Sequence, residues 1–161
     1  MDNLKFRPIT RDDYELAQEF RRATVLAATG DETAFDTWFP PEKPYSVMLD
    51  TLRAFDEAAC VFVEINDIPV GQLDLRIDMT DDQPAGYVSS IYLMPEWRGQ
   101  GIGELMEGYA VGFFRKHGAD WASLRTNPKQ DKVMEFYQKL GWEVVGEARF
   151  GMVVMAKGLY A

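Results

Sequence analysis

Three glycines fall within five residues in the segment Arg98-Gly99-Gln100-Gly101-Ile102-Gly103, which runs straight into an apolar-patterned stretch. Glycine reaches backbone angles closed to other residues and puts no side chain between the chain and a ligand. Several main-chain N–H groups of such a loop can converge on one anion. A helix behind it adds unpaired N–H groups and a positive dipole end. The chemistry this suits is phosphate binding with few cations, although the same residues would also serve a plain turn into a helix. A dinucleotide fingerprint reads Gly-x-Gly-x-x-Gly directly after a strand. Here the third glycine comes one residue early, and Pro95 lies between the strand and the loop. A nucleoside triphosphate loop needs Gly-Lys-Ser/Thr, and Gly103 is followed by Glu104.

Such a loop needs a frame, and hydrophobic periodicity supplies one. Leu4–Ile9 alternates apolar and polar residues, as a strand does. Thr10 to Asp13 has the pattern of a capping box, with an acid in place of the usual Glu or Gln. The helix that follows carries Leu16, Ala17, Phe20 and Ala23 on one side. An irregular stretch spans Gly30 to Tyr45, and a second helix starts near Ser46 with Met48, Leu52 and Phe55 in register. Cys60–Ile65 and Val70–Asp78 form a hairpin about Asn66-Asp67. Leu73, Leu75 and Ile77 face one way, while Gln72, Asp74, Arg76 and Asp78 face the other, so one face is covered. Met79–Pro84 reads as a loop and Gly86–Leu93 as a strand. The third helix runs from the glycine loop to about His117, Trp121–Thr126 is a strand, and Asn127-Pro128 opens the fourth helix. Trp142–Ala148 and Met152–Ala156 close the chain as strands. The order β α α β β β α β α β β gives a mixed α/β fold class: about seven mostly antiparallel strands flanked by four helices. The 161 residues fit one domain over 1–161.

Composition narrows the partners. A net charge of −9, with Lys and Arg scattered, argues against nucleic acid, which needs a basic face. An acidic surface suits a cationic substrate or simply keeps the chain soluble. No apolar run reaches the roughly 18 residues of a membrane span. Met1-Asp2-Asn3-Leu4-Lys5 lacks the apolar core of a signal peptide. The lone Cys60 lies in an apolar run and reads as a buried thiol. A cytoplasmic protein is expected.

Ile91-Tyr92-Leu93-Met94-Pro95-Glu96-Trp97 followed by Arg98–Gly103 resembles the cofactor block of the GNAT superfamily of N-acetyltransferases. That block is a strand ending apolar–aromatic–apolar, then Pro-Glu, then Arg-x-x-Gly-x-Gly or Ala opening a long helix. The second block of that family, a helix ending in Tyr and then Leu-Gly-aromatic, is matched by Phe136-Tyr137-Gln138-Lys139-Leu140-Gly141-Trp142. The resemblance implies acetyl transfer from acetyl-coenzyme A (acetyl-CoA) to a primary amine of a small molecule or peptide, with no metal. The alternative in a different class is a non-catalytic acyl-CoA-binding module, and a nucleotide-binding domain is a third.

Several roles are implied by the resemblance. Main-chain N–H groups from Arg98, Gly99, Gln100, Gly101, Ile102 and Gly103 hold the CoA diphosphate. A bulge makes the fourth strand splay from the fifth, and the pantetheine arm runs along Ile91, Tyr92 and Leu93 as an added strand would. The Leu93 N–H is the oxyanion donor. Tyr137 is the candidate general acid, since a phenol of pKa about 10 keeps a proton for the departing thiolate at neutral pH. Gln130 stands where many members have an Asn that touches the cofactor. The base is open. Ser89 occupies the position where some relatives carry Glu, which leaves Asp74, Asp78 and Glu64 as carboxylates acting through water, with Asp74 preferred. His117 fits a helix C-terminus better than a catalytic role. Trp38, Phe39 and Tyr45 either line the amine site or pin their loop to the core. Relatives often pair through their last strands, so a homodimer is expected.

Overall fold

Two tight reversals fix the register of the central strands. Asn66 and Asp67 have φ of 52° and 66°, and Asp81 and Asp82 have φ of 51° and 63°. Two successive left-handed residues make the turn that matches strand twist, and Asn and Asp tolerate that conformation. The computed structural model describes residues 3–160. Met1 and Asp2, on which the signal-peptide argument partly rests, and Ala161 lie outside the described residues.

The strands are β1 (Leu4–Pro8), β2 (Cys60–Ile65), β3 (Ile68–Thr80), β4 (Gln83–Leu93), β5 (Trp121–Thr126), β6 (Glu143–Glu147) and β7 (Val153–Gly158). They form one sheet in the order β1-β2-β3-β4-β5-β7-β6. β4 and β5 pair in parallel, and the other neighbours are antiparallel. The helices are α1 (Tyr14–Thr29), α2 (Ala34–Trp38), α3 (Tyr45–Phe55), α4 (Ile102–Lys116) and α5 (Asp131–Lys139). α1 and α3 cover one face of the sheet: Phe20 packs on Phe62 and Tyr92, and Tyr45 bonds to Asp74. α4 covers the other, where Phe114 lies so close to Gly86 that an added Cβ would stand 2.4 Å from the ring.

The mixed α/β class and the seven strands agree with the sequence reading, and four details differ. Gly30–Tyr45 contains the short helix α2. The proposed Met79–Pro84 loop shrinks to Asp81-Asp82, because a two-residue turn lets the ladder run on to Thr80↔Gln83. Helix α5 begins at Asp131 instead of at Asn127, whose Oδ1 accepts a bond from the Lys129 N–H at 2.9 Å. Above all, the β2–β3 hairpin is covered on both faces. Gln72 and Asp74, whose alternation with Leu73 and Leu75 predicts an open polar face, are buried beneath α1 and α3.

The Thr10–Asp13 capping box is present, with the Thr10 N–H donating to Asp13 Oδ2 at 2.8 Å. Cys60 is fully buried. Among the described residues, no helix is long and apolar enough to cross a membrane, and no group of three His, Cys, Asp or Glu is placed to hold a metal ion.

Candidate functional site

The site begins with one extra residue. Asp74 of β3 faces Ser90 of β4, but the next residue, Leu75, faces Val88, so Ser89 is bulged out of the ladder. A bulge bends its strand and sharpens the local twist. β4 pairs with β5 only at Gly86–Val88, opposite Ala122–Leu124, and beyond the bulge the two strands part. The result is a slot whose wall is the stretch from Ser89 to Leu93. The Met94 N–H donates to the Val70 carbonyl at 2.8 Å, toward β3. Alternation along a strand then turns the N–H groups of Leu93 and Ile91 the other way, into the slot.

The glycine loop lies at the end of that wall. Pro95–Trp97 makes a single 3-10 turn, and Arg98 reaches back so that its Nε donates to the Leu93 carbonyl at 2.8 Å. Gly99 and Gly101 hold φ of 78° and 84°, and Gly101 is the N-cap of α4. Gly103 serves packing, since a Cβ there would meet Phe136 of α5 at 3.2 Å. Among the described residues, the backbone N–H groups from Gly99 to Gly103 have no partner. Unpaired amides, left-handed glycines and the N-terminus of a 15-residue helix together suit an anion.

Tyr137 points into the interior from α5, boxed by Phe136 and Trp142 with ring centroids at 5.2 Å and 6.1 Å. Burial, with the Glu107 charge adding to it, pushes the Tyr137 hydroxyl well above the usual phenol range. The group is therefore protonated at any physiological pH. Gln130 is already engaged: its Nε2 donates to the Ala27 carbonyl near the end of α1 at 2.8 Å, which leaves its Oε1 free for other partners.

Of the carboxylates offered as bases, Asp74 alone lies beside the bulge. It is fully buried and accepts bonds from the Tyr45 hydroxyl and, at 3.1 Å, from Gln72 Nε2. Burial raises the Asp74 pKa, while Arg21, Tyr45 and Gln72 pull it back. Asp78 is paired with Arg76. Glu64 is paired with Arg7 and Lys5 at the β1 side of the sheet, two strands from β4. His117 bonds Asp56 at 2.8 Å.

The aromatic residues form a wall. Phe39 packs on Phe35 and Tyr45 with centroids at 5.2 Å and 5.1 Å. Tyr45 is no loop residue: it opens α3 and is buried. Trp38 meets Phe150 at 5.5 Å, so the chain after α1 touches the β6–β7 connection. Phe150 is half exposed at φ 60°, a left-handed conformation that is rare for a bulky side chain.

The sequence reading did not identify Arg21, Gln72 or Phe150. Arg21 carried a signal, because it lies four residues from both Ala17 and Val25 on the buried stripe of α1. Phe150 carried none beyond its neighbour Gly151.

Residues 15–142 match the Acetyltransferase (GNAT) family. The chain belongs to this family. It is 32% identical over 108 residues to the Probable N-acetyltransferase san of Drosophila melanogaster, spanning 66% of this chain and 58% of that protein. It is 30% identical over 81 residues to N-alpha-acetyltransferase 50 of Danio rerio, spanning 50% of this chain and 48% of that protein. The chain thus spans about half the length of these curated relatives. Its fold superposes on the PaiA N-acetyltransferase of Thermoplasma acidophilum, a complex with coenzyme A. The TM-score is 0.78, covering 96% of this chain and 98% of that one. At 17% identity this likeness bears on the fold alone.

Proposed function

We propose that this GNAT chain is an N-acetyltransferase that moves the acetyl group of acetyl-CoA to a primary amine. The observation that carries this reading is the splayed β4 edge leading directly into unpaired loop amides at the head of α4. An extended thioester arm ending in a diphosphate has the shape and polarity to lie along both. The coenzyme A bound in the PaiA protein supports the same ligand.

In this reading the loop N–H groups from Gly99 to Gly103 bind the diphosphate, the expected Arg98 N–H being engaged with the Pro95 carbonyl at 3.2 Å, and Ile91, Tyr92 and Leu93 line the arm. The Leu93 N–H donates to the thioester oxygen as the amine attacks and negative charge builds there. Collapse breaks the C–S bond, and Tyr137 gives its proton to the leaving sulfur. Asp74 takes the proton lost by the ammonium through an intervening water. Trp38, Phe39 and Tyr45, joined by Phe150, line the acceptor end. Their apolar character favours an amine whose neighbouring group is apolar, such as a peptide N-terminus. A relative-fold protein, Naa50 of Arabidopsis thaliana, is solved with a conjugate of coenzyme A and the peptide MVNAL, which supports testing peptides first.

Isothermal calorimetry with coenzyme A, followed by thiol release with acetyl-CoA and a panel of peptides, polyamines and amino acids, tests the proposal. Heat of binding and amine-dependent thiol release are expected. Binding without thiol release favours the non-catalytic module, and no binding removes both.

A further inference from the structure

Arg21 occupies a position where α1 otherwise buries apolar side chains, with Ala17 and Val25 a turn away on either side. Placing a guanidinium there is costly, because its hydration is lost and only good partners offset that loss. The partners are incomplete. Arg21 Nη1 donates to the Ser89 carbonyl at 2.7 Å and lies 3.7 Å from Asp74 Oδ2. Its guanidinium carbon stands 5.4 Å from the Phe39 ring centre and 5.7 Å from that of Tyr45. Among the described residues, Arg21 Nε is buried with no partner, as are Gln72 Oε1 and Ser90 Oγ on the strands beneath. A Leu or Met would suit the apolar stripe of α1 but would leave the Ser89 carbonyl and the buried Asp74 without this partner, so the residue answers to the strands beneath it.

Its shortest bond goes to the carbonyl of Ser89, the residue that the bulge takes out of the β3–β4 pairing. Its guanidinium carbon lies over the two rings that begin the acceptor wall. We infer that Arg21 is a positioning residue for acyl transfer, tying the β4 bulge to the Phe39–Tyr45 wall so that the slot-facing Leu93 amide and the incoming amine keep one fixed spacing. This inference rests on the acyl-transfer reading above. Arg21 lies on the α1 face of the sheet, apart from the glycine loop, so it sets the reacting geometry without gripping the diphosphate.

The test compares wild type, Arg21→Met and Arg21→Lys for thiol release with acetyl-CoA and the peptide Met-Val-Asn-Ala-Leu or the best amine of the panel. Binding of coenzyme A is read by calorimetry, and folding by the thermal transition. Misplacement of reacting groups by about 1 Å costs on the order of 100-fold, so Arg21→Met should lower kcat by about 30-fold or more. KM for acetyl-CoA and coenzyme A affinity should stay within about twofold. Arg21→Lys still donates to Ser89 but loses the flat face, and should fall by about 3- to 10-fold with KM equally unchanged. If the Met variant loses its cooperative thermal transition, the Lys variant carries the test alone. A kcat within about twofold of wild type in the folded variants, or a cofactor KM that rises in step with the fall in kcat, overturns the inference. Wild-type protein that releases no thiol with any amine refutes the acyl-transfer reading itself, and the inference with it. Active wild type with indifferent variants refutes the inference alone.

Discussion

Replacing Gly101 by Ala isolates the contribution of the glycine loop. At φ 84° an added Cβ would meet nothing within 4 Å, so the methyl group causes no clash and its whole cost is torsional. A left-handed residue with a Cβ costs about 1–2 kcal/mol. That strain must appear either in folding or in binding. If the loop keeps its conformation in the free protein, stability falls by the full amount. If the loop relaxes, it must be driven back when coenzyme A binds, and affinity falls instead. The exposed setting of Gly101 and the long 3.4 Å bond from the Leu105 N–H to the Gly101 carbonyl leave the loop free to relax. Most of the cost should therefore fall on binding. Coenzyme A affinity is expected to drop about 10-fold, since ~1.4 kcal/mol is a factor of ten. The melting temperature should move by less than about 3 °C, against roughly 2–4 °C per kcal/mol for a domain of this size. Calorimetry and a thermal melt of the same sample read both quantities. If neither changes, the strain has nowhere to reside, and the assignment of Gly101 to a left-handed, ligand-gripping turn is wrong.

Tyr137→Phe removes only the hydroxyl; kcat should fall by about 100-fold or more with the KM for acetyl-CoA unchanged, and an unaltered kcat removes Tyr137 as the acid. Gly86→Ala places a methyl group 2.4 Å from a Phe114 ring carbon, so urea denaturation should show a loss of about 1–3 kcal/mol; wild-type stability would mean that α4 does not pack there. Asp56 binds Lys116, the Ala58 N–H and His117. These contacts, that with Lys116 largest, hold its carboxyl at about 2 in the folded chain, below the ordinary Asp value of 3.8. A depressed pKa stabilises the fold above the unfolded value and loses that contribution as pH falls through the folded value. Melting temperatures of wild type and Asp56→Asn should therefore differ most near neutral pH and converge between about pH 4 and pH 2; a constant gap would contradict the ion-pair account.

The glycine loop was legible because it is local. Glycine spacing, the Pro-Glu turn and the helix behind them report backbone angles and free amides, which neighbouring residues alone determine. The strands were legible for the same reason, through alternation. The coverage of the sheet was not. Gln72 and Asp74 alternate with Leu73 and Leu75 just as solvent-facing residues do, and only the docking of α1 and α3 buries them. Polar residues on a strand signal water unless a second layer brings partners, and here those partners are Arg21 and Tyr45, more than 25 residues away in sequence. Phe150 likewise gains meaning only through Trp38, on a different connection of the fold.

The bulge at Ser89 explains why one strand serves both layers. Val88 stands opposite Leu75, on the face that α4 covers. In an unbroken strand, residues two and four positions on, Ser90 and Tyr92, would share that face. The inserted residue reverses the parity. Ser90 and Tyr92 turn instead toward α1, where Tyr92 packs on Phe20 with centroids 5.0 Å apart. Leu93 joins Gly71 and Met106 on the α4 side. The same insertion parts β4 from β5 and so opens the amides of Ile91 and Leu93. It also leaves the Ser89 carbonyl to Arg21. Removing the extra residue would exchange the faces of everything from Ser90 to Leu93 at once. The slot, the buried Arg21–Asp74 pair and the packing of α1 are thus consequences of a single register shift.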